Sequence, residues 1–237
     1  MKASSNDNLA VLIDADNAQA SPIHELLEEV SRYGTASVKR AYGDWSTPQL
    51  KKWKEELHTH AIKPVQQFSY TKGKNATDSA LIIDAMDLLH SGDLNGFCLV
   101  SSDSDFTPLA TRIRESGLVV YGFGERKTPQ PFVAACDKFI YTDILKPPET
   151  KGKKTTPRYP SPKKRLVEAV DKATGDDGWA NLGTVGSMLV KNDPSFDSRN
   201  YGYKKLVELV NKQPYLEVRK EKTGSGAGGA NIFVRLK

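Results

Sequence analysis

Cysteine is nearly absent from the chain. The 237 residues hold only Cys98 and Cys136, and Cys98 sits inside an apolar run. That excludes a disulfide framework and points to buried free thiols in a reducing compartment. No run of eighteen apolar residues occurs, so no transmembrane helix and no membrane partner are expected. The opening "MKASSNDNLAVLIDADN" has one lysine, then polar residues, then an apolar run ending in acid, unlike a secretory signal. A cytoplasmic location is the expectation. Histidine is scarce too: His24, His58, His60 and His90 are the only four, none at the end of an apolar run, which argues against zinc. The glycines of "YGFGERK" lack the third glycine and the following helix of a dinucleotide fingerprint, so they read as a strand end and turn. Internal repeats are absent.

What is present is charge, unevenly spread. Met1 to Leu145 carries 15 Lys+Arg against 19 Asp+Glu, a net of −4, and Lys146 to Lys237 carries 19 against 10, a net of +9, which together give the overall +5. A basic module joined to an acidic one suggests a polyanionic partner, although a solvated basic surface gives the same counts. The change falls at "KPPETKGKKTTPRYPSPKK" (146–164), rich in proline and lysine and without apolar periodicity. Residues 146–162 therefore read as an extended linker between domains at 1–145 and 163–237.

In the first domain short apolar runs alternate with helical patterns. "LAVLID", "SVKRAYGD", "KPVQQFSY", "GFCLVSSD" and "LVVYGFG" read as strands, with "KFIYTDI" as an edge strand. Between them, "SPIHELLEEVSRYG" predicts a helix with a Ser cap, Pro at its first position and Gly at its stop. "TPQLKKWKEELHTHA", "NATDSALIIDAMDLLHSG", "FTPLATRIRESG" and the short "TPQPFVAACD" predict four more. The alternation gives an α/β fold, a parallel sheet with helices on both faces, whose sites lie at the carboxyl ends of the strands.

Carboxylates gather at those ends. Asp14 closes the first strand, with Asp16 and Asn17 after it. Asp103 and Asp105 follow the fourth strand, and Asp78 opens a helix. If strands one and four are neighbours, Asp14 and Asp103 meet at one sheet edge. Two unit charges 4 Å apart at an effective dielectric of 20 repel by about 4 kcal/mol. Clustered acids must therefore protonate, spread apart or bind a cation. Hard oxygen donors without histidine favour Mg²⁺ or Mn²⁺ and suit metal-assisted phosphoryl transfer to water. Any one of these aspartates read alone is a helix cap or turn former. Alternation turns Asp16 away from Asp14; Asp84 and Asp87 lie within the helix begun by Asp78, where Asp84, about 120° from Asp78, suits a solvated or capping role at least as well as ligation.

The segments "LAVLIDADN", "KGKNATDSALIIDAMDLL" and "FCLVSSDSDFTPLATRIRESGLVVYGFG" together resemble the NYN domain in its LabA-like branch, related to PIN and flap nucleases. The resemblance implies a PIN-like fold and a metal-dependent ribonuclease. It implies that Asp14, Asp78, Asp103 and Asp105 form the acidic metal site, with Asn17 as an orienting ligand. "KGKNATD" is longer than the usual spacing and leaves open which of Lys72 and Lys74 approaches a phosphate; Lys74 is the candidate.

Beyond the linker, "PKKRLVEAVDKAT", "ANLGTVGSMLVKND" and "NYGYKKLVELVNKQ" predict three helices, and "YLEVRKE" and "NIFVRLK" a hairpin, the winged-helix arrangement. Trp179, Leu182, Leu189, Phe196, Tyr201, Leu206 and Val207 are expected in its core. Arg199, Lys204, Lys205, Arg219 and Lys220 are candidate RNA contacts. "GWANLGTVGSMLVKNDPSFDSRNYGYKKLVELV" resembles the LOTUS (OST-HTH) domain, which implies RNA binding, with a protein ligand as the other option; a homodimer is left open. The expectation is a Mg²⁺- or Mn²⁺-dependent endoribonuclease with an RNA-binding module. A non-catalytic RNA-binding adaptor is the alternative. A haloacid-dehalogenase-type phosphatase, suggested only by "DADN", is the remote one.

Overall fold

The run NLAVLID forms strand β1 (Asn8–Asp14), buried from Leu9 to Asp14. Burial on both faces is why it reads as continuously apolar rather than alternating. The computed structural model describes residues 7–68, 76–145, 159–222 and 230–237, and the chain divides into two compact units, Met1–Pro148 and Glu149–Lys237.

In the first unit β2 (Thr35–Gly43), β3 (Lys63–Gln66), β4 (Gly96–Val100), β5 (Val119–Gly124) and β6 (Lys138–Tyr141) join β1 in a sheet of order β3-β2-β1-β4-β5-β6. Every pairing is parallel. The α/β architecture expected from the sequence is present. The chain winds outward from β1 to β3, returns to β4 beside β1, and winds outward again. The order reverses between β1 and β4, where sheets of this kind open a crevice.

Helices supply the crossovers: α1 (Ile23–Val30), α2 (Lys51–Thr59), α3 (Ala76–Ser91), α4 (Thr107–Glu115) and α5 (Gln130–Ala135). Leu9, Val11 and Ile13 pack with Ile23, Leu26, Trp53 and Leu57 of α1 and α2, while α3 packs over β1 and β2. Two predicted helix starts differ from expectation. Ser21 does not cap α1, which is entered from Pro22 without a side-chain cap bond. Gly34 is not its stop either, since the helix ends at Val30 and a Cβ at Gly34 would lie 2.3 Å from the Asp7 carbonyl oxygen. Thr47-Pro48 starts a 3₁₀ turn (Pro48–Leu50) that leads into α2.

Asp84, read as solvated or capping at least as readily as ligating, instead pins α3 to β2. Its carboxylate accepts hydrogen bonds from the Arg40 guanidinium and the buried Tyr42 hydroxyl. Asp87 is exposed.

The second unit has the expected winged-helix make-up. It comprises α6 (Lys163–Ala173), α7 (Leu182–Asn192) and α8 (Leu206–Asn211) with the hairpin β8 (Leu216–Lys222) and β9 (Ala230–Leu236). A two-residue strand β7 (Ala180–Asn181) adds to β9, giving a sheet β7-β9-β8. Asn181 caps α7, accepting from the Gly183 and Thr184 N–H groups. Leu182, Leu189 and Phe196 are core, and Tyr201, Leu206 and Val207 pack against it half-buried. Trp179 is not in that core. The predicted third helix breaks at Gly202, whose φ is +83°, so a 3₁₀ turn (Ser198–Tyr201) and a loop precede the short α8.

The β5 glycines close the strand, which ends at Gly124 ahead of a turn at 126–127, as the sequence suggests. A Cβ at Gly122 would fall 2.4 Å from Phe139 Cδ2 and 2.7 Å from Cys136 Sγ. Gly122→Ala is therefore expected to cost about 1–3 kcal/mol by overpacking, read as a lower urea midpoint with unchanged slope.

Candidate functional site

At the crevice between β1 and β4, Asp14 is fully buried. Its Oδ2 accepts from Ser101 Oγ at 2.7 Å and from Asn17 Nδ2 at 2.9 Å, and its Oδ1 accepts from the Asn17 N–H at 3.2 Å. Ser101 is positioned by the parallel register that sets Ile13 beside Val100, the last residue of β4. Its hydroxyl oxygen in turn accepts from the Asp103 N–H at 3.1 Å. The Asp103 carboxylate accepts from the Asp105 N–H at 2.9 Å and opens the 3₁₀ turn Ser104–Phe106 that runs into α4. Hydrogen bonds thus run from the end of β1 through β4 to the start of α4.

Asp78 comes from the other side, in the first turn of α3, where the positive end of the helix favours a carboxylate. The preceding residue anchors it: Thr77 Oγ1 donates to Asp16 Oδ2 at 2.9 Å. Asp78, Asp103 and Asp105 each offer a carboxylate oxygen, all within 4.8 Å of one another. Asp14 is not in that trio. Asn17 commits its amide and backbone N–H to Asp14. Lys72 and Lys74 lie outside the described residues.

Burial pushes the Asp78 carboxyl up to about 6, helped by the negative charges of Asp14, Asp103, Asp105 and Asp16 in that order. Asp14 is raised by burial as well, while the bonds from Ser101 and Asn17 pull it back. The donor set is all oxygen, with neither sulfur nor imidazole, which fits a hard cation. An open groove leads away from Asp78 and Asp105 between Ile82, Thr107, Pro108 and Pro131.

Sequence reasoning missed Ser101, Thr77 and the role of Asp16. Alternation ceases to apply beyond Asp14, where the strand ends, so Asp16 is free to turn toward α3. The small hydroxyl residues directly after an apolar strand, "VSSD", were the signal for Ser101.

Among the basic candidates, the Arg199 guanidinium forms a two-pronged pair with Asp197, at 3.0 and 2.7 Å. Lys204 and Lys205 are exposed on the loop before α8. Arg219 and Lys220, being consecutive in β8, lie on opposite faces of the small sheet.

A carboxyl raised from 3.8 to about 6 holds its proton more tightly folded than unfolded. Stability therefore falls as pH rises through that window, and the full penalty remains above pH 6. Asp78→Asn is expected to stabilise the metal-free protein by about 1–3 kcal/mol at pH 7.5. That gain should shrink toward zero by pH 4, as read from thermal melts across the range.

Residues 157–227 match the OST-HTH/LOTUS domain. No protein of curated function matches the chain. Among solved structures, a protein of unknown function from Vibrio parahaemolyticus is similar at 19% identity, covering 60% of this chain and 96% of its own, with a TM-score of 0.49. An uncharacterized Nitrosomonas europaea protein is 30% identical over 39% of this chain and 92% of its own, with a TM-score of 0.29. A Chromobacterium violaceum protein segment is 38% identical over 33% of this chain and 82% of its own, with a TM-score of 0.27. The NYN domain model spans residues 8–145, from the first residue of β1 through the acidic crevice to the end of the sheet unit, and the chain belongs to the NYN domain family.

Proposed function

We propose that the protein is a Mg²⁺- or Mn²⁺-dependent endoribonuclease whose second unit holds the RNA. NYN domains are PIN-like nuclease domains and LOTUS domains bind RNA or protein, so the chain joins a nuclease-type unit to a binding unit. The observation that carries the reading is the convergence of Asp78, Asp103 and Asp105 beside the buried Asp14.

Those three carboxylates would hold the cation. When bound, it neutralises them, polarises a phosphodiester and supplies a reactive water at neutral pH. Asp14 holds the loop after β4 through Ser101, so that Asp103 and Asp105 keep their places. Thr77 and Asp16 fix the start of α3 and hence Asp78. The groove walled by Ile82, Pro108 and Pro131 offers an uncharged path for a strand leaving the site. Neither cysteine competes with water as a nucleophile: burial raises both thiols, Cys136 to about 12, so neither is a thiolate at neutral pH. Asp14, buried with both oxygens bonded, is not placed to take a phosphoryl group, which disfavours the phosphatase reading. Among the described residues no helix is long and apolar enough to cross a membrane.

The test is cleavage of end-labelled single-stranded and hairpin RNA, and of matched DNA, with Mn²⁺, Mg²⁺ or chelator. RNA should be cut with either metal and spared by chelator. Asp103→Asn should lose more than about 100-fold in rate and Asp14→Asn about 10–100-fold. Mn²⁺ should also raise the melting temperature of the parent chain more than that of Asp103→Asn. Failure to cut, or equal cutting by both variants, would replace the enzyme with a non-catalytic RNA-binding adaptor.

A further inference from the structure

Trp179, expected in the core of the second unit, lies half-buried on the outside of its sheet. The reason is strand parity. Leu216, Val218, Ile232 and Val234 face the helices, so Glu217, Arg219, Glu221, Phe233 and Arg235 share the opposite face. On that face Arg219 sits directly across from Phe233, and Glu217 from Arg235. The Trp179 ring gathers both arginines: the guanidinium carbon of Arg219 is 4.4 Å from its centroid and that of Arg235 is 4.6 Å. Arg219 also lies 5.5 Å from the Phe233 ring.

Each guanidinium is held in its orientation by a glutamate. Arg219 pairs with Glu221 at 2.8 Å, and Arg235 with Glu217 at 2.7 Å. The Arg219 Nε is shut away from solvent with no acceptor among the described residues. The result is a set of flat groups gathered on the sheet face opposite the helices.

Two features decide what such a face takes. The glutamates beside the arginines repel phosphate and occupy the guanidinium forks, so the face is poorly suited to grip a backbone. Flat π surfaces, by contrast, accept another flat ring, and base–aromatic and base–arginine stacking is tolerant of sequence. The unit around it, Glu149–Lys237, carries 18 Lys+Arg against 10 Asp+Glu, a net of +8. That charge draws a polyanion whose bases are such rings, and bases present their faces only when unpaired.

We propose that the outer sheet face formed by Trp179, Arg219, Phe233 and Arg235 stacks unpaired bases of single-stranded RNA. This rests on the reading of the second unit as the RNA holder and is independent of whether the first unit cuts.

The experiment uses the full chain carrying Asp103→Asn, with chelator, so that cutting cannot intervene. Fluorescence anisotropy measures binding of short oligouridine and oligoadenosine RNA, with heparin as a base-free polyanion. Stacking of one base is worth about 1–3 kcal/mol, so Trp179→Ala should weaken RNA binding about 5–150-fold. Trp179→Phe should retain most of the affinity, and heparin binding should change less than about twofold. On the unsubstituted Trp179, photocrosslinking of 4-thiouridine RNA should mark the peptides bearing Trp179 or Phe233, which keeps the test decisive if Trp179→Ala fails to fold. RNA affinity unchanged by Trp179→Ala, equal losses for RNA and heparin, or crosslinks confined elsewhere would overturn the proposal. So would a self-associated dimer lost on Trp179→Ala with RNA binding intact. A parent chain that binds as described but never cuts would sink only the nuclease reading.

Discussion

The acidic edge of the sheet depends on one buried carboxylate. Taking Asp14 out of water costs several kcal/mol unless its oxygens are satisfied. Here they are satisfied by Ser101 and Asn17. Asn17 reaches from three residues along the same loop, but Ser101 could not reach if β4 were not paired in register beside β1, because it follows Val100 directly and Val100 sits opposite Ile13. A local electrostatic need therefore fixes the topology at the switch point. The same serine then carries the constraint outward, since its oxygen accepts the Asp103 N–H and Asp103 accepts the Asp105 N–H. Three residues that look independent in the sequence are one bonded unit.

Repulsion is the other half of the design. Four further carboxylates or their charges bear on Asp78, and nothing in a folded chain brings like charges together without restraint elsewhere. The restraints are visible on α3. Its start is tied to Asp16 through Thr77, and farther along, Asp84 is held by Arg40 and Tyr42 of β2. A helix held at two points along its length cannot slide to relieve the repulsion. The strain therefore stays where a cation can relieve it, the usual relation between stored unfavourable energy and a binding site.

Much of this was legible. Continuous apolar runs such as "LAVLID" and "GFCLV" can only be strands buried on both faces, and acids at their ends can only lie at one edge of a parallel sheet. Asp78, Asp103 and Asp105 were read from that logic and come together. What was not legible depended on geometry that periodicity does not encode. Asp14 looks like a ligand in the sequence, and only the register of β4 shows that its carboxylate also accepts from Ser101. Trp179 looks like core because tryptophan usually is, but a strand of two residues has no pattern from which to read which face its neighbour takes. The sequence does not show that Asp197, two residues earlier, pairs with the Arg199 guanidinium.

The division of charge between the units follows from the same chemistry. A site built from carboxylates repels the phosphates it must approach, even when a cation offsets part of the charge. Affinity for a polyanion therefore has to come from elsewhere in the chain, and the excess of basic residues lies beyond residue 145. Attraction of that kind is screened as salt rises, whereas contacts between aromatic faces and bases are not. A unit with both would therefore hold RNA, as proposed, over a wider range of ionic strength than lysines alone, while the acidic unit would need to supply only chemistry. On the proposed function, an acidic site on a basic protein is a single solution, in which residues that would act on a phosphodiester are relieved of having to bind it.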